Sequence, residues 1–164
     1  MDLTNQMPIA TKSSKIDISL EKNTESISKK FSNFIKKGDI VFFYGEIGVG
    51  KTTFTRFLIN HLQSKHNINT TEVLSPTFNI LNDYQINNLN VKHYDLYRIK
   101  QKEELDNIGL FEDKGAINVI EWPEILKSYN IKCIKFDFSY SDDFENRNLI
   151  ISSNYSNKII DEFK

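Results

Sequence analysis

Cysteine is nearly absent from this sequence, since Cys133 is the only one among 164 residues. A single thiol excludes both an intramolecular disulfide and a metal site built from several cysteines. Cys133 lies in the apolar stretch 131–138, and we expect it to be a small buried residue of a strand. His61, His66 and His93 are the only histidines, and they are too scattered to form a zinc-binding pattern.

The sequence also lacks an excess of either charge, because 21 Lys and Arg residues are balanced by 22 Asp and Glu residues. Direct binding of nucleic acid needs many cationic side chains to displace counterions from the phosphate backbone. Any contact with RNA is therefore expected to be indirect and to pass through partner proteins.

Long apolar runs are missing as well, and none approaches the roughly 20 residues of a membrane-spanning helix. Residues 1–14 lack the apolar centre of a secretory signal, so we expect no membrane association and a cytoplasmic location. Because this segment is polar and aperiodic, it predicts a disordered leader. The length of the chain suits one domain, which we place at residues 15–155 and follow with a polar tail over 156–164.

Glycine is scarce too, yet three of the six glycines fall within residues 45–50. The preceding run 40–44, Ile-Val-Phe-Phe-Tyr, is typical of a strand that is covered on both faces. After the glycines, apolar residues recur at helical spacing as far as His66; these are Phe54, Phe57, Leu58 and Leu62. Strand, glycine loop and helix are thus predicted to follow one another directly.

The other elements predict a sheet with helices around it. Alternation over residues 15–20 predicts a half-buried strand, and Asn23 or Thr24 can cap a helix that ends at Gly38. The apolar face of that helix is Ile27, Phe31, Phe34 and Ile35. Asn87-Asn88 predicts a tight turn between strands 78–86 and 89–95.

Further along the chain, the pattern predicts a short helix over 102–108 and strands over 116–120, 131–138 and 148–152. Together the elements predict a single-domain α/β fold, with a mixed β-sheet of the P-loop NTPase type flanked by helices on both faces.

The glycine-rich segment has the pattern Gly-x-x-x-x-Gly-Lys-Thr; it comprises Gly45, Glu46, Ile47, Gly48, Val49, Gly50, Lys51 and Thr52, and Thr53 follows. In such loops, backbone N–H groups and a helix N-terminus face the phosphates. Lys51 is expected to reach the β- and γ-phosphates, Thr52 to bind Mg²⁺, and Thr53 to hydrogen-bond near the α-phosphate. The loop predicts a bound magnesium nucleotide; a flexible glycine turn is the alternative.

P-loop enzymes need an acid near the strand end beside the loop, to hold Mg²⁺ or to orient the attacking water. Asp95 ends one expected strand, and Glu121 follows the apolar strand 116–120. Both are therefore candidate metal ligands and catalytic acids. From the pattern alone, Asp95 is alternatively a solvated turn residue, and Glu121 an exposed acid before Pro123.

Three further features lie near these acids. Trp122, the only tryptophan, directly follows Glu121, and it suits either a nucleotide neighbour or a core residue. The segment 75–78, Ser-Pro-Thr-Phe, stands where other P-loop proteins sense the γ-phosphate, although its proline suits any loop. His93 and Arg98 flank Asp95, and a single histidine is more often packed or exposed than a ligand.

Four segments, taken together, resemble the bacterial TsaE family, also called YjeE. They are residues 45–53, the segment 75–78, His93-Tyr94-Asp95-Leu96-Tyr97-Arg98 and Glu121-Trp122-Pro123-Glu124, in the family's order and intervals. The resemblance extends over roughly residues 16–153. It implies the ATPase component of threonylcarbamoyladenosine synthesis, which modifies the adenosine next to the anticodon of tRNA together with the TsaB and TsaD proteins.

The resemblance also implies roles for individual residues. Lys51 corresponds to the phosphate lysine, Thr52 to the magnesium ligand, and Asp95 and Glu121 to the two acids, which gives Lys51, Asp95 and Glu121 catalytic roles. Trp122 corresponds to a nucleotide-adjacent tryptophan. The implied activity is a Mg²⁺-dependent ATPase that binds ATP and ADP, is slow alone, and reaches tRNA only through its complex.

Two other functions share the same loop. A nucleotide-dependent assembly module would bind ATP without hydrolysing it, and the sequence does not separate this hypothesis from the first. A small-molecule kinase would need a lid with several cationic residues to clamp the transferred phosphate. The chain has only Arg56, Arg98 and Arg147, which argues against a kinase.

Overall fold

A computed structural model describes residues 11–142 and 144–164, and one sheet organises this part of the chain. Its strands are β1 Thr11–Lys12, β2 Ile16–Asp17, β3 Ile40–Tyr44, β4 Leu81–Ile86, β5 Leu89–Asp95, β6 Ile117–Glu121, β7 Ile134–Tyr140 and β8 Arg147–Ser153. The helices are α1 Glu21–Phe31, α2 Lys51–Lys65, α3 Glu103–Asn107 and α4 Asn157–Asp161, with a 3₁₀ helix at Pro123–Leu126.

The sheet is mixed, with strand order β1-β8-β7-β3-β6-β5-β4, and β2 also pairs with β8. The central strand β3 is parallel to both of its neighbours, β6 and β7, and β5 is parallel to β6. The outer pairs β4–β5 and β7–β8 are antiparallel. The prediction of a mixed α/β sheet around the glycine loop is confirmed.

Alternate residues of β3 enter two cores on opposite faces of the sheet. Val41 and Phe43 pack on the face that α1, α2 and α4 cover, where Phe43 and Phe54 meet edge to face with ring centroids 5.4 Å apart. Phe42 packs on the other face with Leu105 of α3 and Leu126 of the 3₁₀ helix. Helices therefore cover both faces, as predicted.

The expected hairpin is present, although its first strand is shorter than predicted. Ile86 pairs with Leu89 across the two-residue turn, where Asn87 has a φ of 53°. The strand begins at Leu81 rather than at residue 78. The reason is a turn in which the Ile80 N–H donates to the Pro76 carbonyl and Ile80 takes a φ of 68°, so extended structure starts only after it.

In the described residues near both ends of the chain, the structure differs from the predicted disordered leader and polar tail. Thr11 and Lys12 pair with Ser153 and Ser152, so the prediction of a disordered leader is wrong for these residues, while residues 1–10 lie outside the described part. The expected polar tail contains α4, which buries Ile159 and Ile160. The core contacts of α4 come from a few apolar residues within a polar sequence.

Several other strands and helices begin or end a few residues away from their predicted positions. The strand expected over 15–20 is reduced to β2, and α1 begins at Glu21, so that Asn23 and Thr24 lie inside the helix rather than capping it. β6 runs one residue further than predicted and includes Glu121. β7 begins at Ile134, and the buried Cys133 lies just before it. Within the described ranges, no helix is both long and apolar enough to cross a membrane.

Candidate functional site

The carboxyl ends of three parallel strands meet at one edge of the sheet. Glu121 at the end of β6 pairs with Asp95 of β5 on one side and with Phe43 of β3 on the other. Because β3 continues into the loop 45–50, this register brings the loop and both acids to the same edge. Open α/β sheets bind ligands at this edge.

A cleft of about 280 Å³ opens there. Its lining residues are Ile47, Gly48, Gly50, Lys51, Thr52, Thr53, Ser75, Thr77, Asp95, Tyr97, Glu121 and Trp122. The cleft thus unites residues from all four segments that were singled out in the sequence.

Two glycines allow the loop to take its path. Gly45 has a φ of 138°, and a β-carbon at this position would lie 2.6 Å from the Phe138 carbonyl oxygen, which is closer than atoms can approach. Gly50 takes a φ of 116° where the loop enters α2. Residues with side chains rarely adopt such angles, so glycine is needed at both positions.

Lys51 supplies the positive charge of the site. Its Nζ donates to the carbonyl oxygens of Gly45 at 2.6 Å and Glu46 at 2.8 Å, and it lies 4.1 Å from the centre of the Trp122 ring. The residue is 5% exposed. Burial lowers the pKa of Lys51, while the negative charges of Glu121 and Asp95 oppose that effect. The cation is therefore poorly hydrated and is held by loop carbonyls.

Glu121 is a buried carboxylate with two side-chain donors. The Thr52 hydroxyl donates to it, with Oγ1 at 2.9 Å from Oε1 and 3.2 Å from Oε2. His93 Nε2 lies 2.8 Å from Oε1. This arrangement places Glu121 inside the strand end, so the alternative of an exposed acid before a proline is wrong.

Asp95 is the second buried carboxylate, and it fastens the segment 75–78 to the strand end. Thr77 Oγ1 donates to Asp95 Oδ2 at 2.6 Å, and the Tyr97 N–H donates to Oδ1 at 2.9 Å. Thr77 in turn shares a hydrogen bond of 2.8 Å with the Ser75 hydroxyl. Asp95 is 2% exposed, so it is not a solvated turn residue.

Trp122 lies on the wall of the cleft and is half-buried. Its backbone is left-handed, with φ 56° and ψ 54°, and its N–H donates to the Phe43 carbonyl at 3.2 Å. Its ring contacts Tyr97, with centroids 4.9 Å apart. Of the two alternatives for this tryptophan, its position corresponds to the cleft rather than to either hydrophobic core.

Most of the candidate residues converge, but two side chains point elsewhere. The Val49 side chain is buried in the core below the loop, and Glu46 is exposed. These two residues and Gly45 do not line the cleft, although the carbonyl oxygens of Glu46 and Gly45 accept hydrogen bonds from Lys51. His93 is the residue whose contact with the site the sequence analysis missed; its spacing of two from Asp95 within one strand places both on the same face and was the available signal.

The oxygen atoms of the cleft fit a magnesium nucleotide. Mg²⁺ prefers oxygen ligands and is commonly bound by one or two carboxylates together with substrate phosphates. The cleft offers Asp95, Glu121 and the Thr52 hydroxyl, whereas no group of three or more His, Cys, Asp or Glu residues in the described ranges forms a self-contained metal cage. Such a site is incomplete without the phosphates, and the loop lies beside it.

Comparisons with known proteins agree with this geometry. The model of the family described as Threonylcarbamoyl adenosine biosynthesis protein TsaE matches residues 18–149. The chain is 44% identical over 108 residues to the tRNA threonylcarbamoyladenosine biosynthesis protein TsaE of Rickettsia typhi, covering 65% of this chain and 72% of that protein. It is 32% identical over 146 residues to the protein of the same name from Haemophilus influenzae, covering 82% and 87%.

A solved structure shows the same fold. The crystal structure of YdiB from Bacillus subtilis superposes with a TM-score of 0.72 over 94% of this chain and 95% of that one, at 24% sequence identity. The family match spans strands β3 to β7, the glycine loop and both acids of the cleft, and it is supported by relatives that are similar over most of their length. This chain therefore belongs to the TsaE family.

Proposed function

We propose that this protein binds ATP and ADP with Mg²⁺, and that it hydrolyses ATP as a component of tRNA threonylcarbamoyladenosine biosynthesis. Membership of the TsaE family and the P-loop fold point to a nucleotide-binding ATPase. One observation carries the finer proposal: the Lys51 ammonium group, the Thr52 hydroxyl and two buried carboxylates line a single cleft at the start of α2. This combination of charges suits a phosphate chain and its cation.

Lys51 is the residue that we assign to phosphate binding. Its ammonium group donates to the Gly45 and Glu46 carbonyls. Phosphate oxygens carry more negative charge than carbonyls, so they form stronger charge-assisted hydrogen bonds with the same group. The low exposure of Lys51 strengthens that attraction further, because little water screens it.

Thr52 and Glu121 form the part of the site that suits Mg²⁺. The Thr52 hydroxyl gives its one proton to Glu121, which leaves its lone pairs free to face a cation in the cleft. Bound Mg²⁺ supplies positive charge that neutralises the phosphate oxygens as ATP is cleaved. Glu121 orients the hydroxyl and adds negative charge beside the cation.

Asp95 is suited to orient a water molecule. Each of its oxygens accepts one protein hydrogen bond, which fixes the carboxylate plane and leaves lone pairs for a further donor. Because Thr77 is one of the two donors, the position of the segment 75–78 depends on Asp95. We propose that the hydrogen bond between Asp95 and Thr77 links changes in the cleft to the position of the segment 75–78.

We further propose that the protein acts with TsaB and TsaD in the cytoplasm, and that it meets tRNA only through them. The near-neutral net charge supports indirect contact. Ile47 in the cleft wall and Phe78 in the segment 75–78 are 71% and 85% exposed, and we assign to them apolar surface that a partner protein covers. A kinase is disfavoured because no arginine is among the described residues that line the cleft.

The proposal is tested by phosphate release from ATP, measured with and without TsaB and TsaD. We expect slow release alone and faster release in the complex. Asp95→Asn and Glu121→Gln are expected still to bind nucleotide at saturating concentration and to lower release by about a hundredfold, because each removes a charge organised around the reacting phosphate. Absence of nucleotide binding by the unmodified protein would overturn the proposal.

A reconstituted tRNA-modification reaction separates hydrolysis from assembly. If both variants bind ATP and support normal modification, hydrolysis is dispensable and the assembly-module hypothesis is correct. If one variant alone fails, the affected residue is the working acid, and the other acid has a structural role. Mg²⁺ is tested in the same assay by adding a chelator, which should stop phosphate release.

A further inference from the structure

His93 is a wholly buried side chain that the function proposed above does not use. Its exposure is 0%, and Nε2 lies 2.8 Å from Oε1 of Glu121, which is itself 3% exposed. Buried polar side chains cost free energy unless their hydrogen bonds are made. The presence of a histidine here, rather than an apolar residue, therefore calls for a reason.

The register of the sheet fixes how His93 reaches Glu121. His93 pairs with Val119, whereas Glu121 pairs with Asp95, so the contact is diagonal between neighbouring parallel strands. Both side chains lie on the face that α2 covers, because Val91 and Val119 of the same alternation belong to the core on that face. The donor to Glu121 is thus supplied by a rigid strand rather than by a loop.

The two ring nitrogens have different surroundings. A carboxylate can only accept, so Nε2 carries the proton that it shares with Glu121. Nδ1 is buried and has no hydrogen-bond partner among the described residues. A purely structural position would be better filled by an apolar side chain, since Nδ1 gains nothing from burial. The contact made by Nε2 is the feature that distinguishes histidine here.

We propose that His93 is a positioning residue, which fixes the Glu121 carboxylate and, through it, the Thr52 hydroxyl. Glu121 has several rotatable bonds, and Thr52 lies within hydrogen-bond distance of both of its oxygens. His93 removes this freedom by holding Oε1. The Thr52 proton then has a defined acceptor, and the lone pairs of its hydroxyl face the cleft. This inference rests on the proposed binding of a magnesium nucleotide.

The effect should appear only when the cation is bound. Residues that orient a metal ligand commonly change metal affinity by roughly tenfold or more when they are replaced. In His93→Leu we expect ADP affinity in the presence of a chelator to stay within about twofold of the unmodified protein. The increase in affinity that Mg²⁺ produces should be smaller by roughly tenfold.

His93→Gln is the conservative variant, because its side-chain amide can donate from nearly the position of Nε2. It should restore most of the Mg²⁺ effect, whereas His93→Asn, whose amide is one carbon shorter, should not. His61→Leu is the matched control. His61 also has an unpartnered buried ring nitrogen, but it stacks on Phe57 in the body of α2 and should leave the Mg²⁺ effect unchanged.

Calorimetric titration with ADP, with Mg²⁺ or with chelator, tests the inference, and thermal unfolding of each variant checks the fold. A Mg²⁺ effect in His93→Leu equal to that of the unmodified protein would overturn it, as would equal losses with and without Mg²⁺. If His93→Leu fails to fold, the test is the comparison of His93→Gln with His93→Asn. An equal Mg²⁺ effect on ADP affinity in these two variants would contradict a positioning role. Failure of the unmodified protein to bind ADP would instead contradict the proposed function.

Discussion

Buried carboxylates occur at both ends of the central strands, and their surroundings differ. Asp39 lies just before β3, at the amino end, and is 5% exposed. It accepts hydrogen bonds from the Lys36 N–H and from the Tyr155 hydroxyl, each at 2.9 Å. Its partners connect the start of β3 to the residues that precede α4. This acid acts as a structural joint.

Asp95 and Glu121 are equally buried at the carboxyl end, but their partners include the hydroxyls of Thr52 and Thr77, which line an open cleft. Each end combines hydroxyl and backbone donors, because Asp39 accepts from the Tyr155 hydroxyl and Asp95 accepts from the Tyr97 N–H. Burial alone therefore does not mark a functional acid. What distinguishes the carboxyl end is that two buried carboxylates and the Lys51 ammonium group line the same cleft.

The largest expected effect is at the cleft end. Lys51→Ala should weaken Mg-ATP binding by about a hundredfold or more, because it removes the cation that we assign to the β- and γ-phosphates. Isothermal calorimetry measures the affinity. Lys92→Ala is the control, since Lys92 pairs with Asp83 on the hairpin and should leave the affinity unchanged. If the unmodified protein, Lys51→Ala and Lys92→Ala bind Mg-ATP with equal affinity, the assignment of residues 45–52 as a phosphate-binding loop is wrong.

Replacement of Asp39, at the amino end of β3, should lower stability and leave nucleotide binding nearly unchanged. Asp39→Ala is expected to lower the free energy of unfolding by roughly 1 to 3 kcal/mol, since it leaves two partly buried hydrogen bonds without their acceptor. Nucleotide affinity should remain within about twofold. Urea denaturation and calorimetry give the two quantities. A large loss of affinity in a folded Asp39→Ala protein would mean that the two ends are not independent.

A smaller effect is expected from Tyr155, the phenol that contacts Asp39. Burial, followed by the negative charge of Asp39, raises the pKa of Tyr155 in the folded protein. A phenol whose pKa is raised by folding contributes stability that is complete below its unfolded pKa, near 10, and is lost as the pH rises through the folded value.

Tyr155→Phe should therefore cost about 1 kcal/mol of unfolding free energy at neutral pH, from the lost hydrogen bond. The decline in stability above pH 10 should be less steep in the variant than in the unmodified protein. Denaturant unfolding between pH 7 and 11 tests this. Parallel curves for the two proteins would show that Tyr155 is not the titrating group.

The smallest signal is spectroscopic and reports on the cleft end. Trp122 is the only tryptophan, and its ring lies 4.1 Å from Lys51 Nζ, so movement of Lys51 toward a phosphate changes the surroundings of the ring. We expect a change in tryptophan fluorescence when Mg-ADP binds. Lys51→Ala should lack it at the same concentrations. A silent signal at saturating ADP, with binding verified by calorimetry, would place the ring outside the nucleotide's influence.

The sequence predicts the cleft end better than the rest of the molecule. The strand 40–44, the loop and α2 were identifiable because each carries its own local pattern. The start of β4 was not, because the turn at Ile80 depends on a hydrogen bond to Pro76 and on a φ that apolar residues rarely adopt. The spacing of His93 and Asp95 places both on one face of a strand, but the contact of His93 with Glu121 also depends on the register between two strands, which local patterns do not encode.

Structure near the ends of the chain was the least predictable from the sequence. A polar composition indicated a tail, yet Ile159 and Ile160 are buried against the sheet. In a short segment, two apolar side chains are too few for a periodicity to be recognised. The pairing of Thr11 and Lys12 with β8 is likewise a long-range event that local composition does not encode.

The alignment of Phe43, Glu121 and Asp95 across three strands has a consequence for folding. These residues meet only after segments that are distant in sequence have paired, and such contacts form slowly compared with local ones. A nucleotide that contacts the loop after β3 and the ends of β5 and β6 would bind only the assembled sheet. At a concentration a hundredfold above its Kd, such a ligand adds about 2.7 kcal/mol to the free energy of unfolding. The fraction of the chain that is folded would thus depend on the concentration of nucleotide.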